Sequence, residues 1–177
     1  MQRTVFFRLS VFFLFFSALF LPTEAGRSFC SGILLQTSSR TLIIPFAENK
    51  TKVFNRLQKA GLRVTLDQTY KGTFAVNEPA ATAKLPAAYL EFSATGKISG
   101  MENIIPTETM GDAKNLIYKL AEQYRKEIGK NGTVQHSSSG TQYKIFASCR
   151  KIEIQITLAV SYDSQKQQYY VSVRTIL

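Results

Sequence analysis

Between Ile152 and Val160 every second residue is isoleucine, leucine or valine, and the positions between them are polar except for one alanine. Alternation with a period of two predicts a β-strand that buries one face and exposes the other. Shorter and less regular alternating runs lie on both sides of it, at 143–148 and 169–173, with a turn-forming segment at 162–166. The C-terminal third is therefore predicted to be an antiparallel β-meander.

A long helix is predicted just before this meander, from about Met110 to Ile128. Its apolar residues form one continuous stripe at helical spacing: Ala113, Leu116, Ile117, Leu120, Ala121, Tyr124 and Ile128. Thr109 is placed to cap the start of the helix and Gly129 to end it. Because a helix that precedes an antiparallel meander usually packs its stripe on one face of the sheet, we expect that arrangement here.

A second, shorter amphipathic helix is predicted from about Glu48 to Ala60, with Gly61 as its stop signal. Strands are predicted before it, at 41–46, and after it, at 62–67. This order fits a βαβ unit. The strand at 41–46 also fits a hairpin with the short apolar run at 33–35.

The remaining segments complete an α+β fold class. Residues 70–84 and 100–106 are predicted to be irregular, and 85–94 predicts one more strand. We expect two amphipathic helices packed on a mostly antiparallel sheet that ends in a C-terminal β-meander. No internal repeat is evident in the sequence.

The N-terminus has the pattern of a secretory signal peptide. Arg3 and Arg8 form a basic region, an apolar run follows from Val11 to Leu21, and Ala25 is a suitable last residue before cleavage. We expect residues 1–25 to be the signal peptide and 26–177 to be a single small α+β domain. The protein is then exported, to the periplasm or the extracellular space. The alternative is an uncleaved membrane anchor, although the run is shorter than the ~20 residues that a membrane span needs.

The two cysteines, Cys30 and Cys149, are expected to form a disulfide, because an exported protein enters an oxidising compartment. Two separate buried thiols are the alternative. A catalytic cysteine would need a base, and the only histidine in the sequence is His136.

The net charge is +10, and removing the signal peptide, whose own net charge is +1, leaves +9. Such a surplus attracts anionic partners. Lys52, Arg56, Lys59 and Arg63 follow one another at i, i+4, i+7 and i+11, which predicts a basic face on the shorter helix. This face either meets an anionic surface, such as lipid, lipopolysaccharide or an acidic polymer, or is simply solvated. Nucleic acid is not an expected partner, because the aromatic residues mostly sit at core spacing and do not interleave with the lysines.

No motif in the sequence predicts a metal site, a cofactor or a catalytic set. His136 stands beside Ser137, Ser138 and Ser139, which suggests a small hydrolase, but neighbouring residues on a flexible polar loop seldom aim at one another. The leading hypothesis is a non-enzymatic exported domain that binds a partner, another protein, through its sheet or a loop. The alternatives are an anionic-surface binder that uses the basic helix face and a hydrolase built on His136.

Overall fold

A computed structural model of the protein describes residues 30–38, 40–68, 72–79 and 85–177, so the expected signal peptide lies outside the described residues. Within these ranges the chain forms ten strands and two α-helices, in this order: β1 (Ile33–Gln36), β2 (Thr41–Ile44), α1 (Lys50–Lys59), β3 (Arg63–Leu66), β4 (Thr73–Asn77), β5 (Ala88–Phe92), β6 (Ile98–Thr107), α2 (Met110–Ile128), β7 (Gly132–His136), β8 (Gln142–Cys149), β9 (Ile152–Asp163) and β10 (Gln168–Ile176).

Strands β3 to β10 form one antiparallel sheet in the order β3-β4-β5-β6-β10-β9-β8-β7. The same plan occurs twice, because α1 precedes the four-stranded meander β3–β6 and α2 precedes the meander β7–β10. The two meanders join through their last strands, β6 and β10, which pair antiparallel from Gly100–Ile176 to Thr107–Tyr169. The predicted α+β fold with a mostly antiparallel sheet is confirmed, and the sheet is a large one of eight strands.

The predicted βαβ unit is wrong. Strand β2 pairs with β1 in a separate two-stranded sheet, as the alternative hairpin prediction had it. Strand β3 lies at the outer edge of the large sheet and pairs antiparallel with β4. No parallel pair therefore connects the strands on either side of α1.

The loop predicted at 100–106 is also wrong, because these residues belong to β6, at the centre of the large sheet. The irregular segment predicted at 70–84 is wrong in part, because Thr73–Asn77 form β4. Gly100 fits a crowded position, since a Cβ atom there would lie 3.2 Å from the carbonyl oxygen of Thr175. Asn103 is buried, with 4% of its surface exposed. Residues that usually form loops are thus retained in this strand by tertiary packing.

Both helices pack on the same face of the large sheet. Val53 and Leu57 of α1 are buried against one half, and the predicted stripe of α2 is buried against the other half. One row of directly paired residues runs across both halves on this face: Val76, Ala88, Asn103, Val173 and Leu158. The opposite face is covered by no helix or strand of the described residues.

The β1–β2 hairpin lies on the helix-bearing face and is held there by Asn103. The side chain of Asn103 accepts a hydrogen bond from the Gln36 N–H (3.1 Å) and donates one to the Leu34 carbonyl (2.6 Å). Just before the hairpin, Cys30 forms a disulfide with Cys149 at the end of β8, which confirms the predicted pair. No helix in the described part of the chain is long and apolar enough to cross a membrane.

Candidate functional site

Helix α1 turns three of the four predicted basic residues toward solvent. Asn49 begins the helix as its N-cap, and its side-chain oxygen accepts a hydrogen bond from the Lys52 N–H (2.9 Å). Val53 and Leu57 are fully buried, so the helix is fixed in rotation about its axis. Lys52, Arg56 and Lys59 consequently lie on its exposed side.

Together with the β1–β2 hairpin, these residues line a shallow groove that we call the basic groove. Its empty volume is about 1070 Å³, the open mouth included, and it is lined by Arg40, Glu48, Lys52, Asn55, Arg56, Lys59 and Ala60. Arg40 follows the hairpin turn. Its backbone N–H donates a hydrogen bond to the Thr37 hydroxyl, and its carbonyl accepts hydrogen bonds from the Thr37 hydroxyl and N–H. Four basic side chains and one acidic side chain give the groove a formal net charge of +3.

Glu48 and Arg56 form an ion pair inside the groove. Arg56 Nη2 lies 2.9 Å from Glu48 Oε1, and Arg56 Nε lies 3.3 Å from Glu48 Oε2. The Glu48 side chain is 11% exposed and the Arg56 side chain 44%. The hydrogen bond to Glu48 raises the pKa of the Arg56 guanidinium, so this cation is already matched to a carboxylate.

The other three cations of the groove, Arg40, Lys52 and Lys59, have no such partner in the described part of the chain. The ion pairs of the described residues join Arg56 to Glu48, Arg125 to Glu122 and Arg174 to Glu91. Three cations around one concavity attract anionic groups, and salt weakens that attraction at such exposed positions.

Arg63, the fourth predicted residue, lies outside the groove. Helix α1 ends at Lys59, and Arg63 is the first residue of β3. Its neighbour Val64 packs on the helix-bearing side of the sheet, and successive side chains of a strand alternate, so Arg63 faces the opposite side. Arg63, the last of the four residues in the predicted basic face, therefore lies on another surface of the protein.

Lys50 is also directed away from the groove. Its ammonium nitrogen lies 4.0 Å from the ring centre of Phe74 and 5.5 Å from that of Phe54. With Phe92 these two rings form a mutually edge-on cluster. Lys50 therefore makes a cation–π contact within the protein.

No hydrogen bond in the described part of the chain joins His136 to a serine hydroxyl. His136 ends the edge strand β7, and its Nδ1 lies 3.3 Å from the Ser137 carbonyl oxygen. The Ser137 hydroxyl lies 3.1 Å from that of Ser139 and accepts a hydrogen bond from the Gln142 N–H. The flexible loop predicted around His136 and the three serines begins only at Ser137, because His136 belongs to β7.

Other kinds of site receive little support from the described ranges. No group of three or more histidine, cysteine, aspartate or glutamate residues within them could hold a metal ion. A small cavity beneath the β1–β2 hairpin, lined partly by Phe46 and Tyr124, has a volume of about 10 Å³, which is about what one water molecule requires.

Comparison with protein-family models, curated proteins and solved structures finds no match to this chain. The functional interpretation therefore depends on the groove itself. Its contributors Arg40, Glu48 and Asn55 were not among the predicted site residues. Arg40 and Glu48 lie outside α1: Glu48 directly precedes the N-cap of α1, whereas the packing of the hairpin beside α1 brings Arg40 to the groove.

Proposed function

We propose that the protein is a non-enzymatic binding domain that acts outside the cytoplasm and binds a partner protein through the basic groove. The observation that carries this proposal is the arrangement of Arg40, Lys52 and Lys59 around one concavity without acidic partners among the described residues. Export is supported by the N-terminal signal pattern and by the disulfide, which is typical of oxidising compartments.

The groove is shallow, but its position between α1 and the β1–β2 hairpin favours a protein segment as the partner over a flat surface. A loop or strand of another protein can enter a groove between a helix and a hairpin, whereas a planar bilayer contacts mainly the groove's rim. An anionic membrane, lipopolysaccharide or an acidic polymer is the second candidate, supported by the net charge of +9 that remains after removal of the signal peptide. Nucleic acid is disfavoured by the proposed export.

Site-directed photo-crosslinking in the native host tests the proposal. A photoreactive residue replaces Asn55, an exposed residue of the groove, and in a control chain it replaces Asn115, an exposed residue of α2. We expect a covalent adduct with a distinct protein from position 55 alone. Equal adducts from both positions would contradict a specific groove.

A matched pair of charge variants identifies the groove as the cause. The double variant Lys52→Gln/Lys59→Gln removes two groove cations that are seven residues apart. The control Lys119→Gln/Lys126→Gln removes two exposed cations with the same spacing on α2. We expect the adduct to disappear only in the first variant; its persistence there would refute binding through the groove.

The export component has its own test. N-terminal sequencing of the protein from its native host should find a chain that begins near Gly26. Recovery of chain beginning at Met1 from a membrane fraction would contradict it and favour an uncleaved anchor.

A further inference from the structure

We infer that the basic groove accepts an extended, carboxylate-rich segment of the partner protein, and that Glu48 is a resident carboxylate that limits the affinity for this segment. The inference rests on the proposed function and specifies the chemistry of its partner.

The groove already contains the interaction that it would offer to such a segment. The two oxygens of Glu48 face two nitrogens of the Arg56 guanidinium, at 2.9 and 3.3 Å. This fork-to-fork geometry is the preferred way in which arginine recognises a carboxylate. Arg40, Lys52 and Lys59 surround this pair and leave room for further carboxylates.

The spacing of the cations suits a chain of acidic residues better than a single small anion. Lys52 and Lys59 are seven residues apart on one helix, which corresponds to about 10 Å along its axis. An extended peptide covers that distance in about three residues. A segment of four to six residues with several carboxylates can therefore meet Lys52, Arg56 and Lys59 in turn, whereas one phosphate or sulfate group cannot span them.

Glu48 opposes such a ligand in two ways. Its carboxylate already accepts hydrogen bonds from the guanidinium of Arg56, and its negative charge repels an incoming carboxylate. The backbone holds it in place, since its N–H bonds the Pro45 carbonyl and its carbonyl accepts from the Ile98 N–H. Replacement by glutamine removes the negative charge while keeping the side chain's size, so Arg56 becomes available to the ligand.

The test measures fluorescence anisotropy of a labelled six-glutamate peptide with the purified, disulfide-bonded protein at low salt. We expect the Glu48→Gln variant to bind about fivefold more tightly than the wild type, the upper range for one exposed charge pair. Glu153→Gln makes the same charge change at an exposed site on β9 and is the control, with an expected change below about twofold. Lys52→Gln/Lys59→Gln should weaken binding by about tenfold or more.

Three results would overturn the inference. A six-glutamine peptide could bind as well as the six-glutamate peptide, Glu48→Gln and Glu153→Gln could have equal effects, or vesicles with anionic headgroups could bind the groove where the peptide does not. The proposed function fails separately, when the crosslinked adduct persists in Lys52→Gln/Lys59→Gln. Loss of that adduct without any binding of acidic peptide would leave the proposed function standing and reject carboxylate recognition.

Discussion

Asn103 lies at the centre of the large sheet. Its side-chain amide makes hydrogen bonds to the backbone of β1 of the kind that a neighbouring strand would make. Its side chain satisfies one N–H and one carbonyl of β1, although β1 is not part of the large sheet. An asparagine in a central strand is unfavourable by propensity, and here the two hydrogen bonds offset that cost. The hairpin that carries Arg40 is thereby attached to β6.

The Asn103→Ala variant should be destabilised by about 2–4 kcal/mol, because it leaves two backbone groups of β1 without their partner in a buried region. Urea unfolding followed by circular dichroism measures this loss. Asn77→Ala is the control, since Asn77 ends β4 and its side chain makes only a long hydrogen bond to Thr65 (3.4 Å) within the described ranges. Equal unfolding midpoints for the two variants would show that the β1 contacts contribute nothing.

Glu127 of α2 gives the protein a predictable dependence on pH. Its Oε1 accepts a hydrogen bond from Gln123 (2.8 Å), while its Oε2 is buried and has no hydrogen-bond partner among the described residues. Burial raises the pKa of Glu127 above its usual value. Because the folded pKa is higher than the unfolded one, the folded state binds the proton more tightly, and stability is lost as the pH rises from the usual glutamate range through the folded pKa.

Replacing Glu127 by glutamine removes this ionisation. We expect Glu127→Gln to be more stable than the wild type at pH 7, by up to about 1 kcal/mol because the side chain is only partly buried. The difference should shrink toward pH 4, where the wild-type carboxyl is protonated. Thermal unfolding of both proteins between pH 4 and pH 8 measures it, and a constant difference across this range would contradict the assignment.

At the scale of elements, the two helices were predictable because each carries its own signals. The Thr109 hydroxyl accepts a hydrogen bond from the Asp112 N–H (3.1 Å), and Gly129 ends α2 with a φ of 54°. Strand β6 was not predictable, since its stability comes from partners far away in the sequence. The basic groove was predictable only in the part that belongs to α1, because helical spacing contains no information about the position of Arg40.

The backbone of the β8–β9 turn is strained, and substitution of its two residues can relieve that strain. Arg150 and Lys151 connect Cys149 to Ile152, and both have positive φ values, 50° and 73°. Two-residue hairpin turns of this kind favour Asn-Gly, because longer side chains are strained at positive φ. The variant Arg150→Asn/Lys151→Gly should be more stable by about 1–2 kcal/mol.

Chemical denaturation of this turn variant is compared with Arg150→Gln/Lys151→Gln, which removes the same two charges but keeps the strain. We expect the Asn-Gly variant to unfold at the higher urea concentration. If both variants shift the midpoint equally, charge and not backbone strain determines the stability of the turn.

At the scale of the whole molecule, two meanders share one continuous sheet, although no repeat was evident in the sequence. The helix-and-four-strand plan is repeated in the order of elements, whereas the residues differ from one half to the other. The apolar cores of the halves differ too, with an aromatic cluster of Phe54, Phe74 and Phe92 between α1 and the sheet and mostly isoleucine and valine on the strands beneath α2. Architecture of this kind depends on strand pairing, which local patterns do not reveal.

The disulfide connects the segment before the β1–β2 hairpin to the half that carries α2 and should contribute strongly to stability. Cys30 precedes the hairpin that packs with α1, whereas Cys149 ends β8 in the half that carries α2, and 119 positions separate them. Closing so long a loop reduces the entropy of the unfolded chain, and the chain-entropy model gives up to about 4–5 kcal/mol.

The Cys30→Ser/Cys149→Ser variant should therefore unfold at a much lower urea concentration than the oxidised wild type. Reduced wild type should shift in the same direction as the variant, because it also lacks the covalent link. If oxidised wild type, reduced wild type and variant share one midpoint, the hairpin is held by packing and by Asn103 alone.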